Sequence, residues 1–162
     1  MTITQKITRD NLTYRQSTSA AILDKHGRIL IVQKRSYKDN EWDIPGGGIE
    51  EGEKPEVAIV RELSEELGSD KFEVIKTSKQ IDRYEWPDDV INKRISEKKQ
   101  FFRGQERTQF LVKFTGEESE IKTQKEEIRE VKWVFPDELS VYFVFPHQME
   151  KMKVLLKEFG IN

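Results

Sequence analysis

The stretch that most constrains this chain is Pro45-Gly46-Gly47-Gly48, followed closely by Pro55. Three successive glycines suit no regular element, so the backbone must turn here. Pro55 fits the first position of a helix, where its missing N–H costs nothing, and Gly68 fits the residue just past the end. Between them Val57, Val60, Leu63 and Leu67 recur at helical spacing and form an apolar stripe.

That helix has a second face. At about 100° per residue, Glu65 falls near −60° and Glu66 near +40° of Glu62, away from the apolar stripe. Ala58 lies on the same arc one turn earlier and leaves room beside the acids. A solvated acidic face is one reading. Against it, like charges three or four apart each destabilise a helix by about 0.2–0.5 kcal/mol. Glutamates near the C-terminal end also oppose the helix dipole, at ~0.3–1 kcal/mol. Arg61 relieves only part of this. A divalent cation would convert the repulsion into ligation, since hard cations take carboxylate oxygens and keep waters for phosphates. The glycine loop in front of the helix lets backbone approach the acids closely or turn its N–H groups toward phosphate.

The rest of the chain supplies a frame. Residues 19–23 and 29–34 read as a hairpin around Gly27, and 72–84, 109–114 and 131–135 as strands. Residues 87–107 are charged and aperiodic, and are read mostly as loop. Residues 141–145 read as buried strand or as aromatic lining, and 146–159 as an amphipathic helix with Met149, Met152, Leu155, Leu156 and Phe159 on one face. The order β, β, α, β, β, β, α predicts one mixed sheet with helices on its faces, in a single domain over 1–162.

Composition removes other chemistries. There is no cysteine, so thiolate nucleophiles, zinc-thiolate sites and disulfides are excluded. Lys+Arg 28 against Asp+Glu 30 disfavours a dedicated DNA- or membrane-binding surface. The first ten residues lack the apolar core of a signal peptide and no run reaches membrane-spanning length, so a cytoplasmic protein is expected. His26 and His147 have no spaced partner and are poor catalytic candidates.

Gly47, Glu53, Arg61-Glu62-Leu63, Glu65-Glu66-Leu67 and Gly68 stand at the spacing of the Nudix box, and the segment resembles that family at every fixed position. Ser69 replaces its usual aliphatic residue. The resemblance implies a Nudix-type α/β/α sandwich and hydrolysis of phosphoanhydrides with Mg²⁺ or Mn²⁺. It implies that Glu62 and Glu66 are metal ligands, that Glu65 is a ligand or the base that activates water, and that Glu53 holds Arg61 and the loop. A cation at such a site offsets polyphosphate charge and acidifies the attacking water.

Flanking features are similar to the subgroup that contains the RNA 5′-pyrophosphohydrolases and dinucleoside polyphosphate hydrolases. They are Tyr14-Arg15, Trp42, Arg83-Tyr84-Glu85-Trp86-Pro87 and Phe102-Arg103-Gly104-Gln105. The subgroup's Pro-Gln-Gly-Gly is here Pro-Gly-Gly-Gly. The implied substrates are a nucleotide, a dinucleoside polyphosphate or an RNA 5′ end. Other readings are a pyrophosphatase of single nucleoside triphosphates and a non-catalytic nucleotide-binding module.

By the same resemblance, Glu120 is a further metal-reaching acid or a solvated loop residue. Gly47 and Arg15 are substrate contacts, Arg15 forking onto phosphate or lying as a surface arginine. Tyr84 contacts phosphate or packs in a strand. Phe143 and Phe145 stack a base or fill the core. Residues 92–103, with Lys93, Arg94, Lys98, Lys99 and Arg103 against Glu97, are either a basic guide for RNA or a solvated loop.

Overall fold

The structure is a computed structural model describing residues 8–161. The leader reading therefore falls largely on residues outside those described.

Five strands form one mixed sheet in the order β3-β4-β1-β2-β5. The strands are β1 (Thr13–Leu23), β2 (Ile29–Lys34), β3 (Phe72–Glu85), β4 (Phe102–Phe114) and β5 (Ile128–Val134). The β1–β4 pair is parallel; β1–β2, β2–β5 and β3–β4 are antiparallel. The helices are α1 (Pro55–Leu67), α2 (Asp88–Lys98), the single turn α3 (Leu139–Tyr142) and α4 (Gln148–Glu158).

Alternation along the central strands builds two cores. Ala20, Ile22, Leu30, Val32, Phe110 and Val112 meet Ile59, Leu63 and Leu67 of α1 on one face. Ala21, Ile29, Ile31 and Leu111 meet Met152, Leu155 and Leu156 of α4 on the other. Because both faces are covered, β2 reads as an unbroken apolar run rather than an alternating one. The expected α/β layering holds.

Three readings are corrected. Residues 87–107 are not mostly loop: they form α2 and the first half of β4. Helix α2 buries only Ile91 and Ile95, one turn apart, against Trp86 and Leu12. Val90, Ile91 and Ile95 are its only apolar residues, and two of them adjoin, which leaves little periodicity to read. Its charges suit a helix, with Asp88 and Asp89 in the first turn and Lys98 in the last. Residues 141–145 are no strand, since α3 ends at Tyr142 and the chain then turns into α4. On α1, Val57 is 56% exposed, and Ile59 takes the place in the core expected of it.

Candidate active site

The acidic arc of α1 is graded from solvent to interior. The Glu65 side chain is 59% exposed and that of Glu62 15%, and Glu66 is buried with Ala58. Arg61 lies across the arc. Its Nε and Nη2 donate to the two Glu53 oxygens at 2.7 and 2.8 Å, and Nη2 also donates to the Gly48 carbonyl at 2.9 Å. Nη1 donates to Glu62 at 3.0 Å and to Glu65 at 3.3 Å. One guanidinium thus ties the helix to the glycine loop. The Arg61 forks hold the Glu53 carboxyl down at about 2, helped by the Glu50 N–H.

The glycines are there for closeness. A Cβ on Gly47 would lie 2.3 Å from the Glu62 carboxyl carbon, and one on Gly48 would lie 2.4 Å from Arg15 Nη2. The loop is pinned to the sheet by the Thr18 N–H, which donates to the Gly47 carbonyl at 2.8 Å. Acids on one side and an arginine on the other therefore reach the same two residues of backbone.

Glu66 is the electrostatic anomaly. Its Oε2 is buried without a hydrogen-bond partner. Burial pushes its carboxyl up to about 8; the positive charge of Lys34 opposes this, while Glu62, Glu127 and Glu65 add to it. Glu62 is raised as well, by burial first, with Arg61 opposing. An orphaned buried carboxyl oxygen in the field of Glu62, Glu65 and Glu127, all hard oxygen donors, fits a divalent cation. Among the described residues no three acidic or histidine side chains already stand in ligand geometry. In its place Arg61 occupies the lone pairs of Glu62 and Glu65.

Glu120 is not brought to this cluster. Its Oε1 accepts the Glu117 N–H at 3.0 Å, and it borders an open cavity with Ser64, Gly68, Ser69 and Asp70. The outlying acid whose field reaches Glu62 and Glu66 is Glu127. Its loop is held to the end of α1 by Gln124 N donating to the Glu66 carbonyl at 2.9 Å and Lys122 N to that of Leu67 at 2.8 Å. Nothing in the local sequence pattern singles out Glu127 among the neighbouring acids. The missing signal was strand register, which pairs Lys34 with Ile128 and so sets Glu127 beside the end of β2.

On the other side of the loop, Arg15 Nη1 donates to Gln105 Oε1 at 2.6 Å, and Gln105 Nε2 donates to the Tyr84 hydroxyl. Burial raises the Tyr84 phenol, with Arg107 opposing. Phe145 is half-buried and meets Tyr37 edge-on, ring centroids 5.2 Å apart. Phe143 is 4% exposed in the core under α4, which is the packing reading and withdraws its ring from a ligand.

The NUDIX domain family model matches residues 13–157. An RNA pyrophosphohydrolase of Sphingopyxis alaskensis is 34% identical over 158 residues, covering 95% of this chain and 98% of the relative. One from Wolbachia pipientis subsp. Culex pipiens is 36% identical over 154 residues, covering 91% and 90%. Among solved structures, the E. coli dihydroneopterin triphosphate pyrophosphohydrolase superposes with a TM-score of 0.69 at 18% identity, covering 90% of this chain and 98% of that one. A C. elegans Ap4A hydrolase gives 0.61 at 17%, covering 89% and 95%. These two likenesses speak for the fold alone. Box, fold and family model agree, and the chain belongs to the NUDIX hydrolase family.

Proposed function

We propose that this protein hydrolyses a phosphoanhydride bond at the 5′-triphosphate end of RNA, releasing pyrophosphate. The observation that carries the substrate is the likeness to RNA pyrophosphohydrolases, which spans more than nine-tenths of the chain rather than the box alone. Glu62, Glu66 and Glu127 would hold Mg²⁺ or Mn²⁺, with Glu65, the most exposed of the helix acids, as further ligand or base. When bound, the cation lowers the pKa of the attacking water and offsets phosphate charge. Arg61 sets the rotamers of Glu62 and Glu65, and the Gly47–Gly48 backbone leaves room for phosphate. A cytoplasmic setting belongs to this reading; no described helix is long and apolar enough to cross a membrane.

The test compares triphosphorylated RNA, diadenosine tetraphosphate and single dNTPs as substrates with added divalent cation. RNA is expected to give the highest kcat/KM. Preference for the dinucleotide or for dNTPs replaces the substrate reading, and absence of cleavage of all three supports a binding module. Near-normal turnover by both Glu65→Gln and Glu66→Gln removes the residue assignment. If the basic face of α2 guides RNA, cleavage of RNA weakens with salt more steeply than cleavage of a free nucleotide.

A further inference from the structure

Most arginines here are matched to acids. Arg9 pairs with Glu85 and Asp88, Arg28 with Asp24, Arg61 with Glu53, Arg83 with Glu106, Arg103 with Glu85, Arg107 with Asp82 and Asp43, and Arg129 with Asp39. Among the described residues Arg15, Arg35 and Arg94 have no carboxylate, and Arg35 lies away from the glycine loop, donating to the Lys125 carbonyl. The side-chain hydrogen bond of Arg15 and of Arg94 goes to a glutamine oxygen: Arg15 Nη1 donates to Gln105 at 2.6 Å, and Arg94 Nη1 to Gln100 at 2.8 Å.

The two converge on adjoining side chains of the β3 end. Arg94 is half-buried on the inner side of α2, its guanidinium carbon 4.0 Å from the Trp86 ring centroid. Trp86 continues the strand that carries Tyr84, and Tyr84 shares Gln105 with Arg15. Burial, and after it the positive charge of Arg15, pulls the Arg94 guanidinium below its ordinary range. A half-buried guanidinium without a carboxylate partner, in the field of a second one, is a costly arrangement that a polyanion resolves. Stacking on Trp86 fixes the plane of Arg94, so its remaining N–H groups are already oriented.

We propose that Arg94, with Arg15, grips the terminal pyrophosphoryl group of the substrate on the side of Gly48 opposite the acidic helix. The proposal rests on the polyphosphate hydrolase reading and adds α2 to the site. Arg15 Nη2 already lies against Gly48, whose carbonyl is held by Arg61. A phosphate chain crossing Gly48 would therefore pass from the carboxylates of α1 to the two arginines. The chemistry recognised is that of a diphosphate, which offers oxygens to both planar forks at once.

The experiment measures inhibition by inorganic pyrophosphate and the KM and kcat for a triphosphorylated substrate, in wild type, Arg94→Met, Arg94→Lys and Lys153→Gln. Methionine keeps apolar packing on Trp86 and removes the fork. Expected are a rise in pyrophosphate Ki and in KM on the order of 10-fold in Arg94→Met, a smaller change in kcat, and partial recovery in Arg94→Lys. Lys153 is exposed on α4, and its variant, which loses the same charge, should match wild type. Wild-type Ki and KM in Arg94→Met overturn the proposal. If that variant does not fold, an unchanged Ki in Arg94→Lys overturns it and a raised one supports it. Titration calorimetry of pyrophosphate binding separates the two claims. Should wild type spare RNA yet bind pyrophosphate more tightly than Arg94→Met, the substrate reading fails and the arginine pair stands.

Discussion

Asp82 and Glu66 are both buried carboxylates, one on the α4 side of the sheet and one on the α1 side, and their surroundings treat them in opposite ways. Burial alone would raise both. At Asp82 the charge of Arg107 and a hydrogen bond from Lys151 outweigh burial and leave the carboxyl below its ordinary value of 3.8. Arg107 donates to Asp82 at 3.0 and 3.1 Å, and Lys151 at 2.8 Å. At Glu66 one oxygen has no donor at all, and the carboxyl rises to about 8. The same group is a closed structural joint in one place and is left one partner short in the other, where the proposed cation would complete it. Completeness of partners, rather than burial, separates structure from function here.

The comparison can be broken at several points. The largest effect is expected from Arg107→Met, which strands Asp82 and Asp43 without their shared cation; a loss of about 3–5 kcal/mol should appear in urea denaturation. A change under 1 kcal/mol would mean that Asp82 is not held as described. Glu66→Gln should act in the reverse sense on stability. A carboxyl raised to about 8 must take up a proton on folding at neutral pH, a cost that glutamine does not carry, so the metal-free protein should melt a few degrees higher while kcat falls roughly 100-fold or more. A variant that is both less stable and fully active would contradict the contrast. Glu127→Gln should lower activity by about 10-fold at limiting cation and less at saturation, as expected for a weaker ligand. A larger loss from Glu120→Gln would restore Glu120 to the site.

The smallest effect is in acid. The native pKa of Asp82 is depressed, so its stabilisation is fully present above its unfolded value of 3.8 and is lost as pH falls through the native one. Lys151→Met lifts the native pKa toward the unfolded value. It should flatten the pH dependence of stability below about pH 4 by less than about 1 kcal/mol, since the lysine is half exposed. An unchanged acid limb would show that Arg107 alone holds Asp82.

What was legible in the sequence was local. The glycine loop, Pro55, Gly68 and the acidic arc lie within one short segment, and their meaning depends on helical geometry alone. Glu127 and Arg94 depend on register and on a helix that buries only two residues. The field of Glu127 reaches Glu66 only because β5 pairs with β2 in one alignment, and that of Arg15 reaches Arg94 only because α2 packs on Trp86. Phe143 and Phe145 are two residues apart and end in different environments, one in the core and one half-buried against Tyr37, because the chain turns between α3 and α4. An aromatic pattern of period two suggested a strand and could not distinguish them.

The parallel pairing of β1 with β4 has a kinetic consequence. Arg15 and Gln105 are 90 residues apart, and the whole catalytic helix lies within the crossover that joins their strands. Closing so long a loop is slow compared with forming a helix or a hairpin. As the chain leaves the ribosome, α1 is therefore made well before β4 emerges to complete the opposite wall of the cleft. A nascent chain carries its acids long before it can hold a phosphate against them, so competence for hydrolysis arrives as a late event of folding.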